Sequence, residues 1–149
     1  MTTARCIPSL LIDRSNVAVC WWALASISVG RKFFPWKFFL FDSGRWKWTC
    51  LSPSGLRRSI ELAERYFPQP PNCLTKALAA RALLSLTGRE SRLWFGAGRP
   101  GRGVFEAHAW LECEGLVVTG RESLERFVPL CYFDEFGRLH EAGKKFPSV

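Results

Sequence analysis

Two residues of the chain combine a reactive side chain with a position suited to nucleophilic catalysis, Cys73 and His108. Cys73 follows Asn72, a favoured N-cap residue, and begins an Ala- and Leu-rich segment with helical spacing. Unpaired N–H groups and the dipole at a helix start lower a thiol pKa, because they stabilise the thiolate. They can also stabilise the oxyanion that forms when sulfur attacks a carbonyl group. Cys73 is therefore a candidate nucleophile; the alternative is a small buried apolar residue.

His108 lies in the middle of the segment 104–113, whose alternating pattern predicts a β-strand. A strand packed against the start of a helix can hold an imidazole beside a thiol. That pair is the minimum needed for acyl transfer through a thioester, although a histidine on a strand is more often structural. The other histidine, His140, lies in a polar segment near the C-terminus, where we expect a structural or surface role.

A third group, usually a carboxylate, would orient the imidazole and stabilise its cation. If the chain turns back at residues 114–115, the positions opposite His108 are Gly120 and the residue after it, which lack a suitable side chain. The nearest carboxylate on the returning side is Glu122, which we rank first. Glu112, on the same strand face as His108, is ranked second.

The elements that must position these residues are helices followed by an antiparallel meander, which predicts an α+β fold. Proline and glycine residues mark the expected boundaries. The spacing predicts helices over 16–30, 53–67 and 73–87, ended by Gly30, Pro68 and Gly88 respectively. It predicts strands over 92–95, 104–113, 116–119 and 127–133, with a Gly/Pro/Arg loop at 98–103, a turn at 114–115 and a short turn or helix at 121–126.

Length and composition favour one globular domain, since 149 residues with 48% hydrophobic content supply a single full-sized core. We divide the chain into a hydrophobic, basic N-terminal helical region, 1–50, and a catalytic domain, 51–149. The six cysteines are scattered without a C-x-x-C pair, and there are only two histidines, so neither a disulfide framework nor a metal site is expected. No secretory signal is recognised, which predicts a cytoplasmic protein with reduced thiols.

The net charge of +8 is concentrated in the first 50 residues, which carry seven basic and two acidic side chains. The basic residues there alternate with aromatic ones, a pattern typical of a packed element with a solvated face or of a docking surface. Peripheral contact with an anionic membrane is one alternative, while nucleic acid is not expected as a partner. The apolar stretch 17–29 is shorter than the about 20 residues that a membrane-spanning helix needs.

The segments N-C-L at 72–74 and F-E-A-H-A-W-L-E at 105–112 resemble the transglutaminase-like leader peptidases of lasso-peptide biosynthesis, the microcin-processing B protein family. The similarity extends over about residues 55–130. It implies a papain-like core in which a helix bearing Cys73 packs on an antiparallel sheet bearing His108. It also implies a cysteine protease, a hydrolase that removes the leader from a ribosomally synthesised precursor peptide.

The resemblance further implies partners. A small leader-recognition-element protein would deliver the precursor peptide, and an ATP-dependent, asparagine-synthetase-like cyclase would close the macrolactam afterwards. The chain is too short to contain that recognition element as well, which predicts the split form of the system. No intrinsic cofactor is expected, and any ATP requirement would belong to the cyclase.

One departure from the family pattern concerns the third catalytic residue. Many members carry an aspartate at the position that is Gly120 here, so either Glu122 replaces it or the site works as a Cys–His dyad. Two other functions stay open for the same fold. An N-acyltransferase would use Cys73 and His108 but would need an acyl donor such as coenzyme A, whereas a peptide-binding module would not need the thiol.

Overall fold

A computed structural model describes residues 9–33, 52–101, 103–122 and 124–143. The predicted α+β fold is confirmed, with three helices followed by a five-stranded antiparallel sheet. The helices are α1 Ser9–Phe33, α2 Pro53–Glu64 and α3 Cys73–Leu86. The strands are β1 Ser91–Gly101, β2 Val104–Cys113, β3 Leu116–Thr119, β4 Phe127–Phe133 and β5 Leu139–Glu141, with a 3-10 turn at Leu124–Arg126.

Side-chain caps set the starts of α2 and α3. The Gly55 N–H donates to Ser52 Oγ at 3.1 Å, and the Thr75 N–H donates to Asn72 Oδ1 at 2.9 Å. An N-cap satisfies one of the N–H groups that the helix itself leaves unpaired. The predicted cap at Asn72 is thus confirmed, and it makes Cys73 the first residue of α3.

Helix α1 is longer than predicted, because it starts at Ser9 and continues through Gly30 to Phe33. One glycine inside a helix costs only about 1 kcal/mol, which packing can offset. Cys20, Leu24 and Ile27 of α1 are buried in the same core as α2 and α3. The helix therefore packs on the body of the protein, and the basic and aromatic segment that follows Phe33 lies outside the described residues.

The hydrophobic core lies between the helices and the sheet, whose strand order is β3-β2-β1-β4-β5. Its fully buried members include Leu24, Leu56, Ile60, Leu78, Leu84, Leu93, Leu111 and Val118. Within the described helices, none combines the length and apolar character needed to span a bilayer.

Strand β1 continues through most of the segment 98–103, where the sequence predicts a loop. The glycines there allow close packing. A Cβ on Gly96 would lie 2.8 Å from the Trp110 ring, and one on Gly98 would lie 2.1 Å from the Arg126 carbonyl oxygen. A glycine inside a strand often marks such an approach of another segment, so this pattern indicates crowding rather than a loop.

The predicted hairpin turn at 114–115 is confirmed, since Glu114 and Gly115 have φ values of 54° and 78°, as a type I′ turn requires. Strand β3 then contains a bulge. Leu111 pairs with Thr119, whereas Glu112 pairs with Val117, which leaves one extra residue in β3. The returning strand is therefore shifted by one position relative to a simple mirror of β2.

Candidate active site

The structure brings the side chains of Cys73 and His108 close enough together for a hydrogen bond between them to shift the pKa of each. Cys73 begins α3 and His108 lies in β2, and these two elements pack against each other. Both residues are half-buried, so the pair is partly accessible to solvent. This is the geometry that the predicted thiol–imidazole pair requires; its catalytic roles stay a prediction.

The surroundings of Cys73 favour its thiolate. The pKa of the Cys73 thiol is lowered, first by the hydrogen bond with His108 and then by the Ala109 N–H, the charge of His108 and the Leu74 N–H, although burial opposes the shift. The first turn of α3 contains no acidic side chain that would oppose a negative charge there. The Leu74 N–H at the helix start therefore contributes to the lowered pKa of the thiol, but less than the hydrogen bond with His108 does.

The same contact favours the imidazolium form of His108. The pKa of His108 is raised, first by the hydrogen bond with Cys73, against an opposing effect of burial. The Gly120 carbonyl and the charges of Cys73 and Glu122 raise it further. Because one pKa is lowered and the other raised, the environment stabilises a thiolate–imidazolium pair.

The other described cysteines have the opposite character. Burial raises the pKa of Cys20 to about 12, and burial together with the Glu114 charge raises that of Cys113 to about 11. The pKa of Cys131 is also raised by burial. A thiol with a raised pKa is protonated and inert at neutral pH, so among the described cysteines only Cys73 is set up as a nucleophile.

A main-chain group holds the second nitrogen of His108. His108 Nε2 lies 2.8 Å from the Gly120 carbonyl oxygen, and the Phe127 ring stacks on the imidazole at a centroid distance of 4.7 Å. Since a carbonyl oxygen can only accept, Nε2 must carry the proton of this bond. Nδ1 is then the nitrogen left for the thiol of Cys73.

Neither predicted carboxylate is hydrogen-bonded to His108 in the described part of the chain. Glu122 is exposed and acts on His108 through its charge. Glu112 is buried, and its Oε2 accepts a hydrogen bond from Trp94 Nε1 at 2.9 Å. The group that meets the ring is instead the main-chain carbonyl of Gly120, a position that offers no side chain for this role. The sequence contained one indication of this contact, which was the glycine at the position where many of the leader peptidases that the chain resembles carry an aspartate.

His140 has a carboxylate partner of its own. His140 Nε2 lies 2.9 Å from Asp134 Oδ2, and its ring stacks on Tyr132 at a centroid distance of 4.9 Å. Asp134 Oδ1 also accepts hydrogen bonds from the N–H groups of Phe136 and Arg138. These contacts close the turn between β4 and β5, the structural role expected for His140.

A groove of about 520 Å³ opens beside the start of α3. It is lined by Ser28 and Val29 of α1, by the segment 67–72 and by Thr75. Phe67 and three prolines make this lining largely apolar. The lining includes Asn72, the N-cap residue of α3, but neither Cys73 nor His108.

A helix that begins with a cysteine and packs on an antiparallel sheet bearing a histidine is the arrangement of enzymes that transfer acyl groups through a thiol. The profile of the Transglutaminase-like superfamily matches residues 49–131, more than half of the chain. The protein therefore belongs to this superfamily, which includes cysteine proteases and acyltransferases. No curated protein and no solved structure matches the chain.

Proposed function

We propose that this protein is a cysteine protease that removes the leader from a ribosomally synthesised lasso precursor peptide. The observation that carries the protease activity is the hydrogen bond between Cys73, at the start of α3, and His108. The lasso substrate is supported by the similarity of residues 72–74 and 105–112 to the leader peptidases of that pathway.

In the first half of the reaction, His108 Nδ1 holds the proton of Cys73, and the thiolate attacks the carbonyl carbon of the scissile peptide bond. The N–H groups at the start of α3 stabilise the resulting oxyanion. The C–N bond then breaks as His108 returns the proton to the departing amine. The core peptide leaves with a free N-terminus, and the leader stays bound to Cys73 as a thioester.

In the second half, a water molecule replaces the core peptide. His108 takes a proton from this water while the water oxygen attacks the thioester carbonyl carbon. The bond between that carbon and the sulfur of Cys73 then breaks. The leader departs with a new carboxyl group, and the proton on His108 neutralises the thiolate. No oxidant, reductant or nucleotide is consumed in either half.

The apolar groove near the start of α3 is the proposed binding site for an apolar side chain of the leader. Residues that line it, such as Val29 and Phe67, can bury an apolar side chain, which contributes roughly 25 cal/mol per Å² of buried area. Contacts in this groove would hold the leader while the carbonyl group of the scissile bond reaches the sulfur of Cys73.

The partners remain part of this proposal. A leader-recognition-element protein would bring the precursor, and an asparagine-synthetase-like cyclase would use the amine that cleavage releases, with any ATP consumed by that cyclase. The basic region 1–50 would dock one of these proteins or an anionic membrane surface. A cytoplasmic location keeps the thiol of Cys73 reduced.

An N-acyltransferase is the second candidate, because the superfamily includes acyltransferases and both reactions begin with a thioester on Cys73. The two differ in what attacks that thioester. In a hydrolase, water attacks the thioester and the acyl group leaves with a carboxyl group. In a transferase, an amine attacks the thioester, and the product is an amide without a new carboxyl group.

The experiment mixes the protein with the precursor peptide and the recognition-element protein encoded near its own gene, in water enriched in ¹⁸O, and follows the peptide masses. We expect a leader whose new carboxyl group contains ¹⁸O and a core peptide with a free amine. Cys73→Ala should abolish both products. Cys131→Ala, which removes a thiol of raised pKa, should leave the rate unchanged.

Three results would contradict the proposal. Full cleavage by Cys73→Ala would exclude this thiol as the nucleophile. An acylated amine without ¹⁸O-labelled leader would favour the transferase. Equal affinity of Cys73→Ala and wild type for the precursor, with no new product from either protein, would favour a binding module.

A further inference from the structure

The acceptor that meets His108 Nε2 is a main-chain carbonyl, and the conformation at Gly120 makes this contact available. Gly120 has a φ of 76°, in the left-handed region that side-chain-bearing residues rarely adopt. It directly follows β3, whose bulge shifts the chain by one residue. These two features bring the Gly120 oxygen to 2.8 Å from His108 Nε2.

The space around Gly120 excludes any side chain in this conformation. A Cβ at this position would lie 2.7 Å from the Ala109 carbonyl oxygen, 2.8 Å from Trp110 Cβ and 3.1 Å from His108 Nε2. Two of these neighbours are a backbone oxygen and a β-carbon, which cannot move without displacing β2. An aspartate at 120 would therefore force the chain away from His108 before its carboxylate could reach the ring.

We propose that the Gly120 carbonyl is the positioning group for His108 and occupies the place that a carboxylate side chain holds in a Cys–His–Asp site. This inference rests on the proposed function for its catalytic meaning, but the contact can be tested without a substrate. The carbonyl oxygen fixes the tautomer in which Nε2 is protonated, so that Nδ1 is directed at Cys73.

A carbonyl differs from a carboxylate in charge. It orients the ring by a hydrogen bond but brings no full negative charge to balance the imidazolium. The charges that act on His108 are then the thiolate of Cys73 and, from an exposed position, Glu122. The imidazolium should therefore depend on the thiolate more strongly than it would in a site with a buried carboxylate.

The most direct test weakens the carbonyl and leaves its position unchanged. Two proteins are made with Arg121 replaced. In the first, Arg121→Lys, the 120–121 linkage is an ordinary amide. In the second, the α-hydroxy analogue of lysine stands at the same position, so that this linkage is an ester. An ester carbonyl is the weaker acceptor. A second control moves the ester one residue later, to the 121–122 linkage, which leaves the Gly120 carbonyl in an amide.

The readouts are the rate of Cys73 alkylation by iodoacetamide as a function of pH and the ¹⁵N chemical shifts of His108, with His140 as an internal reference. We expect the 120–121 ester to alkylate roughly three- to tenfold more slowly near neutral pH, in keeping with the loss of part of one hydrogen bond. The His108 shifts should move away from the Nε2-protonated tautomer, while those of His140 stay unchanged. Equal rates and equal shifts in the ester and amide forms would overturn the proposal.

A second test uses side chains. Cys73 should be alkylated more slowly in both Gly120→Ala and Gly120→Asp than in wild type. The Gly120→Asp variant should react no faster than Gly120→Ala. Gly88→Ala is the matched control, because Gly88 has a φ of 69° but a β-carbon added there would meet nothing within 4 Å. A Gly120→Asp variant as reactive as wild type, beside an impaired Gly120→Ala, would show that a carboxylate can position His108 and would overturn the proposal. Failure of peptide cleavage with normal alkylation in wild type would instead contradict the proposed function alone.

Discussion

The two histidines of the chain are held in similar ways but contact different groups. Each has Nε2 on an oxygen, at 2.8 Å for His108 and 2.9 Å for His140, and each stacks on an aromatic ring. His140 has the carboxylate partner, Asp134, that a catalytic histidine usually has. His108 has only a carbonyl there, but its other contact is the thiol of Cys73.

This difference teaches that a carboxylate–histidine pair does not by itself mark a catalytic site. Asp134 also accepts hydrogen bonds from two backbone N–H groups and from Arg138 Nε, so its charge serves to close a turn. What distinguishes His108 from His140 is the group at the other ring nitrogen, which for His108 is the thiol of Cys73. At Nε2, His108 has the neutral carbonyl of Gly120 in place of a carboxylate.

The largest expected contrast comes from truncating each histidine. His108→Ala removes the base that holds the Cys73 proton, so cleavage of the precursor peptide should fall by about 10²–10⁴-fold. His140→Ala should leave the rate within about twofold, because it disturbs only the turn held by Asp134. Peptide mass spectrometry measures both rates. Comparable losses in the two variants would erase the distinction drawn between them.

The next contrast concerns stability. Asp134→Asn keeps the shape of the side chain but loses the charge that binds Arg138 and His140, so we expect a loss of about 1–3 kcal/mol in the free energy of unfolding at pH 7. Alkylation of Cys73 in the folded protein should be unchanged. Urea unfolding monitored by tryptophan fluorescence measures the free energy of unfolding, and mass spectrometry measures the alkylation of Cys73.

The pH dependence of that loss has a definite sign. Burial would raise the pKa of Asp134, but hydrogen bonds from His140 and Arg138 outweigh it and hold the pKa below its ordinary value. A carboxyl group whose folded pKa is lowered contributes stability that is present above its unfolded pKa of about 4 and is lost as the pH falls further. The difference in the free energy of unfolding between wild type and Asp134→Asn should therefore become smaller below about pH 4. A difference in the free energy of unfolding that becomes larger as the pH falls would contradict this expectation.

The smallest expected effect is that of the carboxylate ranked first from the sequence. Glu122 is exposed and acts on His108 by charge alone, so Glu122→Gln should lower the cleavage rate by about twofold, and added salt should remove the difference. Glu112→Gln serves as the control, because Glu112 is bonded to Trp94. A loss in Glu122→Gln as large as in His108→Ala would make this carboxylate the third catalytic residue.

Much of the fold follows from local patterns. The cap at Asn72, the turn at 114–115 and the strands around His108 were predictable, because capping, turn type and alternation depend on residues close in sequence. The misjudged regions have a common cause. Gly30 lies within a packed helix and Gly98 within a paired strand, and in both cases tertiary contacts outweighed a local preference for a break.

The candidate site divides along the same line. The position of Cys73 at a helix start is local information, readable from Asn72 and the apolar spacing that follows, because a cap and its helix lie next to each other in the chain. The meeting of Cys73 with His108, and the carbonyl of Gly120 at the second ring nitrogen, come from sheet packing and from a bulge in β3. Every residue has a main-chain carbonyl, so no residue type reveals which one will bind a histidine until the folded chain places it.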